Sequence, residues 1–182
     1  LNLRPNLIAS DVQQRIGDAA TQQGDLEQAA TAYEAAANTA TSASDMAGLR
    51  EKLALTYRLL QNYAAALAQY DQILSFAQQP AYRAQVLYQS GQTLIDSGDT
   101  DAGYKRFIDL INTYPDRNDA YQALLTLVNA SVEVNEFQRG LVDYYAKQYD
   151  AAIAAFERFI DAQADHGNDH YYIGLSYKGA GN

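Results

Sequence analysis

One pattern constrains this chain more than any other: a turn, a tiny residue and an aromatic recur at a fixed interval. Gly24, Gln61, Gly98 and Asn135 stand 37 residues apart. Five residues after each come Ala29, Ala66, Gly103 and Gly140, and nine after each come Tyr33, Tyr70, Phe107 and Tyr144. Seven residues before them stand Gly17, Ala54, Gly91 and Val128. The tiny and aromatic positions lie four apart, so they share one face of an α-helix. The tiny one lets a facing helix approach, and the aromatic fills the space beside it. A helix pair this short cannot bury its apolar face alone, so each copy is the wall for the next.

The turns and second helices, "GDLEQAATAY" and "SGDTDAGYKRF", resemble those of the tetratricopeptide repeat, an antiparallel helix pair of about 34 residues. Pro115 in "INTYPD" stands where that family often places its closing proline, while the family's tryptophan is missing and Gln61 and Asn135 replace the turn glycine. The resemblance implies an all-α, right-handed superhelical solenoid. It divides the chain into repeats at 10–43, 47–80, 84–117, an irregular 121–147, 147–166 and a partial 167–182.

The spacing predicts helices at 11–23, 26–40, 46–60, 63–77, 81–97, 100–114, 117–133, 137–147, 149–163 and 168–179. Ser10 to Gln13 has the form of a capping box. Pro80 and Pro115 stand where a proline near a helix start is tolerated, and Asp116 and Asn168 are candidate N-caps. The period slips after Asn135, because the next anchor, Lys147, follows 12 residues later. Residues 137–147 match the second helix of a fourth pair and equally the first helix of a fifth. Either the stack bends near residues 133–149 or one helix is missing. The chain begins at Leu1 and stops at "GAGN" in mid-unit, so it reads as a fragment of a longer protein.

Composition narrows the function. A formal net charge of −9, with 13 scattered basic residues, argues against nucleic acid and anionic membrane as partners. The absence of cysteine removes disulfides, thiolate nucleophiles and Cys-type zinc sites. No apolar run approaches the roughly 20 residues of a membrane span.

Candidate chemistry is sparse. His166 and His170 have the i, i+4 spacing of helical metal ligands, but Gly167 and Asn168 between them read as a linker and a helix start. "DSGDTD" (Asp96 to Asp101) lacks the spacing of a calcium loop. "GLS" lacks the second glycine of a nucleophile elbow. No catalytic, cofactor or metal constellation emerges, and the chain reads as non-enzymatic.

A surface remains. The resemblance places ligands in a concave groove lined by the first helix of each pair. Carried onto this chain, the groove positions are Gln14, Asp18, Glu51, Arg58, Tyr88 and Gln92, followed by Leu125, Asn129, Tyr144, Tyr171 and Lys178. Leu125 and Tyr144 serve equally well as packing between repeats. Chaperone-binding members clamp a terminal carboxylate with lysines and asparagines, where this chain has Gln14 and Asp18. That ligand class is disfavoured.

The leading expectation is a non-catalytic scaffold, monomeric, binding a protein or peptide in its groove. The alternative rests on "EFQRGLVDYYAKQYDAAIAAFERFI", which resembles the helical superhelix of bacterial soluble lytic transglycosylases. That likeness implies a non-catalytic domain of a peptidoglycan enzyme and a cell-envelope location. The last helix, around Tyr171, Tyr172 and Tyr177, is expected to be the route of any self-association.

Overall fold

The computed structural model describes residues 5–162 and 168–181. Among them every regular element is an α-helix. These are α1 (Pro5–Gln23), α2 (Leu26–Thr39), α3 (Ala43–Leu59), α4 (Tyr63–Phe76) and α5 (Pro80–Asp96). They continue as α6 (Thr100–Thr113), α7 (Asn118–Asn129), α8 (Glu136–Tyr145), α9 (Tyr149–Ala162) and α10 (Asn168–Ala180). The chain forms two compact units, Leu1–Thr100 and Asp101–Asn182.

The turns explain the period. Gly24, Gln61 and Gly98 adopt left-handed φ values of 79°, 58° and 90°. In each case the next N–H returns to a carbonyl five residues back: Asp25 to Ala20, Asn62 to Tyr57 and Asp99 to Leu94, at 2.8–3.0 Å. This geometry satisfies the last carbonyls of the preceding helix. The following helix starts at once, because Asp25 and Asn62 accept from the N–H groups of Gln28 and Ala65. One left-handed residue plus one cap therefore makes a complete hairpin connection. Gln61 performs this role without being a glycine, at a modest conformational cost.

Other helix starts differ from expectation. Ser10 lies inside α1, where its hydroxyl donates to the Ala36 carbonyl at 3.0 Å and ties α1 to α2 instead of capping. Asp116 precedes the N-cap of α7, which is Arg117 and makes no side-chain cap bond. Pro115 lies in the link before α7, whereas Pro80 opens α5 as expected. Asn168 is the first helical residue of α10, not its cap.

In the first unit Ala20, Ala29, Tyr33 and Ala36 pack with Leu49 and Leu53 of α3. A second cluster joins Ala54, Ala66, Tyr70, Ile73 and Val86. Gly17 shows why tiny residues recur: a Cβ placed there would lie 2.6 Å from a ring carbon of Tyr33.

The second unit resolves the ambiguous helix. α8 packs chiefly on α9 and only lightly on α7. A Cβ at Gly140 would lie 2.5 Å from the Phe156 ring, repeating the Gly17–Tyr33 arrangement. α8 is thus the first helix of a pair, and Gly140 and Tyr144 belong to that helix. The division placed at residue 147 falls within the α8–α9 hairpin.

The slip itself lies between α7 and α8. Here the left-handed residue is Ser131, with φ 57°, while Asn135 has φ −58° and caps α8 by accepting from the Gln138 N–H. The cap follows the left-handed residue by four positions, where Asp25 and Asn62 follow theirs by one, so no tight hairpin forms. Val128 accordingly remains 37 % exposed instead of receiving an aromatic.

Candidate functional site

The groove positions of the first unit lie on α1, α3 and α5, and hydrogen bonds tie most of them to adjacent helices. Asp18 Oδ1 accepts from the Tyr33 hydroxyl at 2.8 Å and from Lys52 Nζ at 2.6 Å. Burial works to raise the Asp18 pKa, but the bonds from Lys52, Tyr33 and Gln14 outweigh it and hold the carboxyl below its ordinary value. Lys52 also lies 5.5 Å from the centre of the Tyr33 ring. Arg58 Nη2 donates to Asp96 Oδ2 at 2.7 Å. Glu51 accepts from three neutral donors of α5: Gln85 and Gln89 at Oε1, 2.8 and 2.9 Å, and Tyr82 at Oε2, 3.3 Å. Burial first, then Glu51, pushes the Tyr82 hydroxyl well above the ordinary tyrosine pKa.

Asp18, Glu51 and Arg58 therefore work between first helices. Of the expected residues in this unit, the fold brings Gln14 and Asp18 into direct contact. Tyr88 and Gln92 are half-buried on α5.

In the second unit Leu125 and Asn129 are exposed one turn apart on α7. Tyr144 is half-buried, with ring centres of Tyr145, Tyr149 and Tyr172 at 5.3, 6.2 and 5.5 Å. Its neighbours make it a packing residue. Tyr171 is 62 % exposed and sits edge-on to Tyr172, and Lys178 is exposed.

Three features escaped the sequence reading. The first is a cleft of about 490 Å³ between the start of α3, the end of α4 and the start of α5. Ala47 and Gly48, Phe76 and Tyr82, Gln79 and Glu51 line it. Its signal was the spacing of Ala43, Ser44, Ala47 and Gly48, which leaves one face of the first turns of α3 without bulk. The second is a cluster of rings in which Phe137 meets Phe156, Phe159 and Tyr172. The third is Asp143, a buried carboxyl on α8. Burial pushes its pKa up to about 6 against the opposing influence of Arg139 and Arg158, with Glu136 adding to the rise.

No group of His, Cys, Asp and Glu among the described residues is arranged to hold a metal. His166 lies outside those residues, and His170 is exposed on α10. No described helix is long and apolar enough to cross a membrane.

Models of the tetratricopeptide repeat match residues 10–40 and 136–166. These are the α1–α2 and α8–α9 hairpins, in which Gly17 faces Tyr33 and Gly140 faces Phe156. These two hairpins are tetratricopeptide repeats.

Solved structures that match the chain include the MamA protein, at 20% identity, 95% coverage of this chain, 83% of that one and a TM-score of 0.47. A tetratricopeptide repeat protein from Parabacteroides merdae ATCC 43184 matches at 14% identity, with 95% and 74% coverage and a TM-score of 0.48. BtubC (BKLC) from P. vanneervenii matches at 13% identity, with 97% and 82% coverage and a TM-score of 0.50. At such identities the last likeness speaks for the fold alone. No curated protein matches the chain. Repeats of this kind generally serve as protein-interaction scaffolds without catalysis of their own.

Proposed function

We propose that this chain is a non-catalytic scaffold that holds a peptide or partner segment against the first-helix faces of its repeats. The observation that supports the reading is the way Asp18–Lys52, Glu51–Gln85 and Arg58–Asp96 fix α1, α3 and α5 against one another. A rigid, preorganised surface lowers the ordering cost of binding, which favours recognition of an extended ligand. The open cleft beside Glu51 gives that surface relief.

The test is capture of a partner by the chain, with a Tyr88→Ala, Gln92→Ala double variant as comparison. Arg58 is unsuitable as the probe, because Arg58→Glu would set two carboxylates together at Asp96. A partner held by the native chain and lost by a variant with an unchanged melting temperature supports the groove. Retention by the variant moves binding elsewhere.

A further inference from the structure

We propose that the α3–α4–α5 cleft is a receptor for a cationic side chain, lysine or arginine, presented by a basic segment of a partner protein. The inference rests on the scaffold reading and assigns its partner chemistry.

The argument starts from Glu51. Other carboxylates linking first helices in this unit have a cation: Asp18 has Lys52 and Asp96 has Arg58. Glu51 has Tyr82, Gln85 and Gln89, all neutral. Its hydrogen bonds are satisfied, but among the described residues no cation is paired with its charge. Among the described residues Glu51 is also the one charged side chain lining the cleft. Nearby cations are already engaged: Lys52 is turned to Asp18, and Arg83 Nη1 donates to the carbonyls of Leu74 and Ala77 at 2.6 and 2.9 Å, closing the end of α4.

The walls suit the same guest. Phe76 and Tyr82 border the cleft and supply aromatic wall beside a cation, while Ala47 and Gly48 leave room for an aliphatic stem. A Cβ at Gly48 would meet nothing within 4 Å, so the space there is open. The cleft volume of about 490 Å³ falls within the range of small ligand sites. A chain of formal charge −9 draws cationic partners toward it. A charge-assisted bond to Glu51 then adds to what three neutral donors supply.

The experiment titrates the isotope-labelled chain with Nα-acetyl-lysine methylamide, its arginine counterpart and the neutral norleucine analogue, following backbone amides by NMR. The two cationic probes are expected to shift Ala47, Gly48 and Gln79, the norleucine analogue far less. Glu51→Gln is expected to weaken the cationic probes about tenfold. Gly48→Leu fills the cleft while leaving the Glu51 carboxylate in the chain, and is expected to abolish binding with the fold intact. Equal shifts from norleucine, unaltered binding by Glu51→Gln, or no shifts at all overturns the proposal. A partner whose capture depends on Tyr88 and Gln92 but survives Glu51→Gln and Gly48→Leu overturns it too, and leaves the scaffold reading standing.

Discussion

At the scale of the residue, two glycines with the same sequence spacing have opposite roles. Gly140 and Gly174 are 34 apart, yet Gly140 presses on the Phe156 ring and Gly174 has nothing within 4 Å of where a Cβ would lie. Gly140→Ala must displace a buried ring and is expected to destabilise by about 1–3 kcal/mol. Gly174→Ala only removes backbone freedom from a helix interior and is expected to stabilise by about 0.5–1 kcal/mol. Chemical denaturation of both variants checks the pair, and a loss in both would mean that α10 is packed on that side. Asp143 carries a pH dependence. Its folded pKa of about 6 exceeds the ordinary 3.8, so the fold favours the protonated form. The resulting stability is present below the ordinary value and is lost as pH rises through the folded one. Asp143→Asn removes the charge, so its stability relative to the native chain should improve between about pH 4 and pH 8, by roughly 2 kcal/mol at most. Identical differences at both pH values would mean that Asp143 titrates in the fold as it does in the unfolded chain.

At the scale of the element, the helices were legible because the turns obey local rules. Gly24-Asp25 and Gly98-Asp99 state a helix end and a helix start in two letters, and the structure uses them so. Ser131 is illegible for the converse reason: serine carries no strong left-handed preference, so the spacing extends α7 to residue 133, whereas the helix ends at Asn129. The groove was only partly legible. Spacing puts Asp18 and Glu51 on first helices, but a sequence does not say that Lys52 and three neutral donors of α5 already hold them. The same distinction separates apolar positions. Leu49 and Leu53 are buried in the first unit, whereas Val12 and Ile16, each 37 residues earlier, are 47% and 39% exposed. Leu53→Ala is therefore expected to cost about 2–5 kcal/mol, and Ile16→Ala far less. Melting temperatures of the two variants decide it: comparable losses would place Ile16 in a packed environment.

At the scale of the whole molecule, the sequence showed a period but not the grouping of helices into Leu1–Thr100 and Asp101–Asn182, because a repeat pattern records neighbours and not the extent of each packed body. That grouping has a consequence for unfolding. Stability in repeat arrays is the sum of each unit and its nearest contacts, so damage need not spread along the chain. Phe156 is fully buried, fills the Gly140 socket and stacks against Tyr172 at 5.7 Å, which makes it a strong lever on the second unit. Phe156→Ala is expected to cost about 3–5 kcal/mol locally. Hydrogen exchange would show where that loss appears. Protection should fall in α8, α9 and α10 while α1 to α4, whose clusters form within the first unit, keep theirs. A uniform fall across both units would mean that the chain opens as one cooperative body, and that a partner bound at one end stabilises the other.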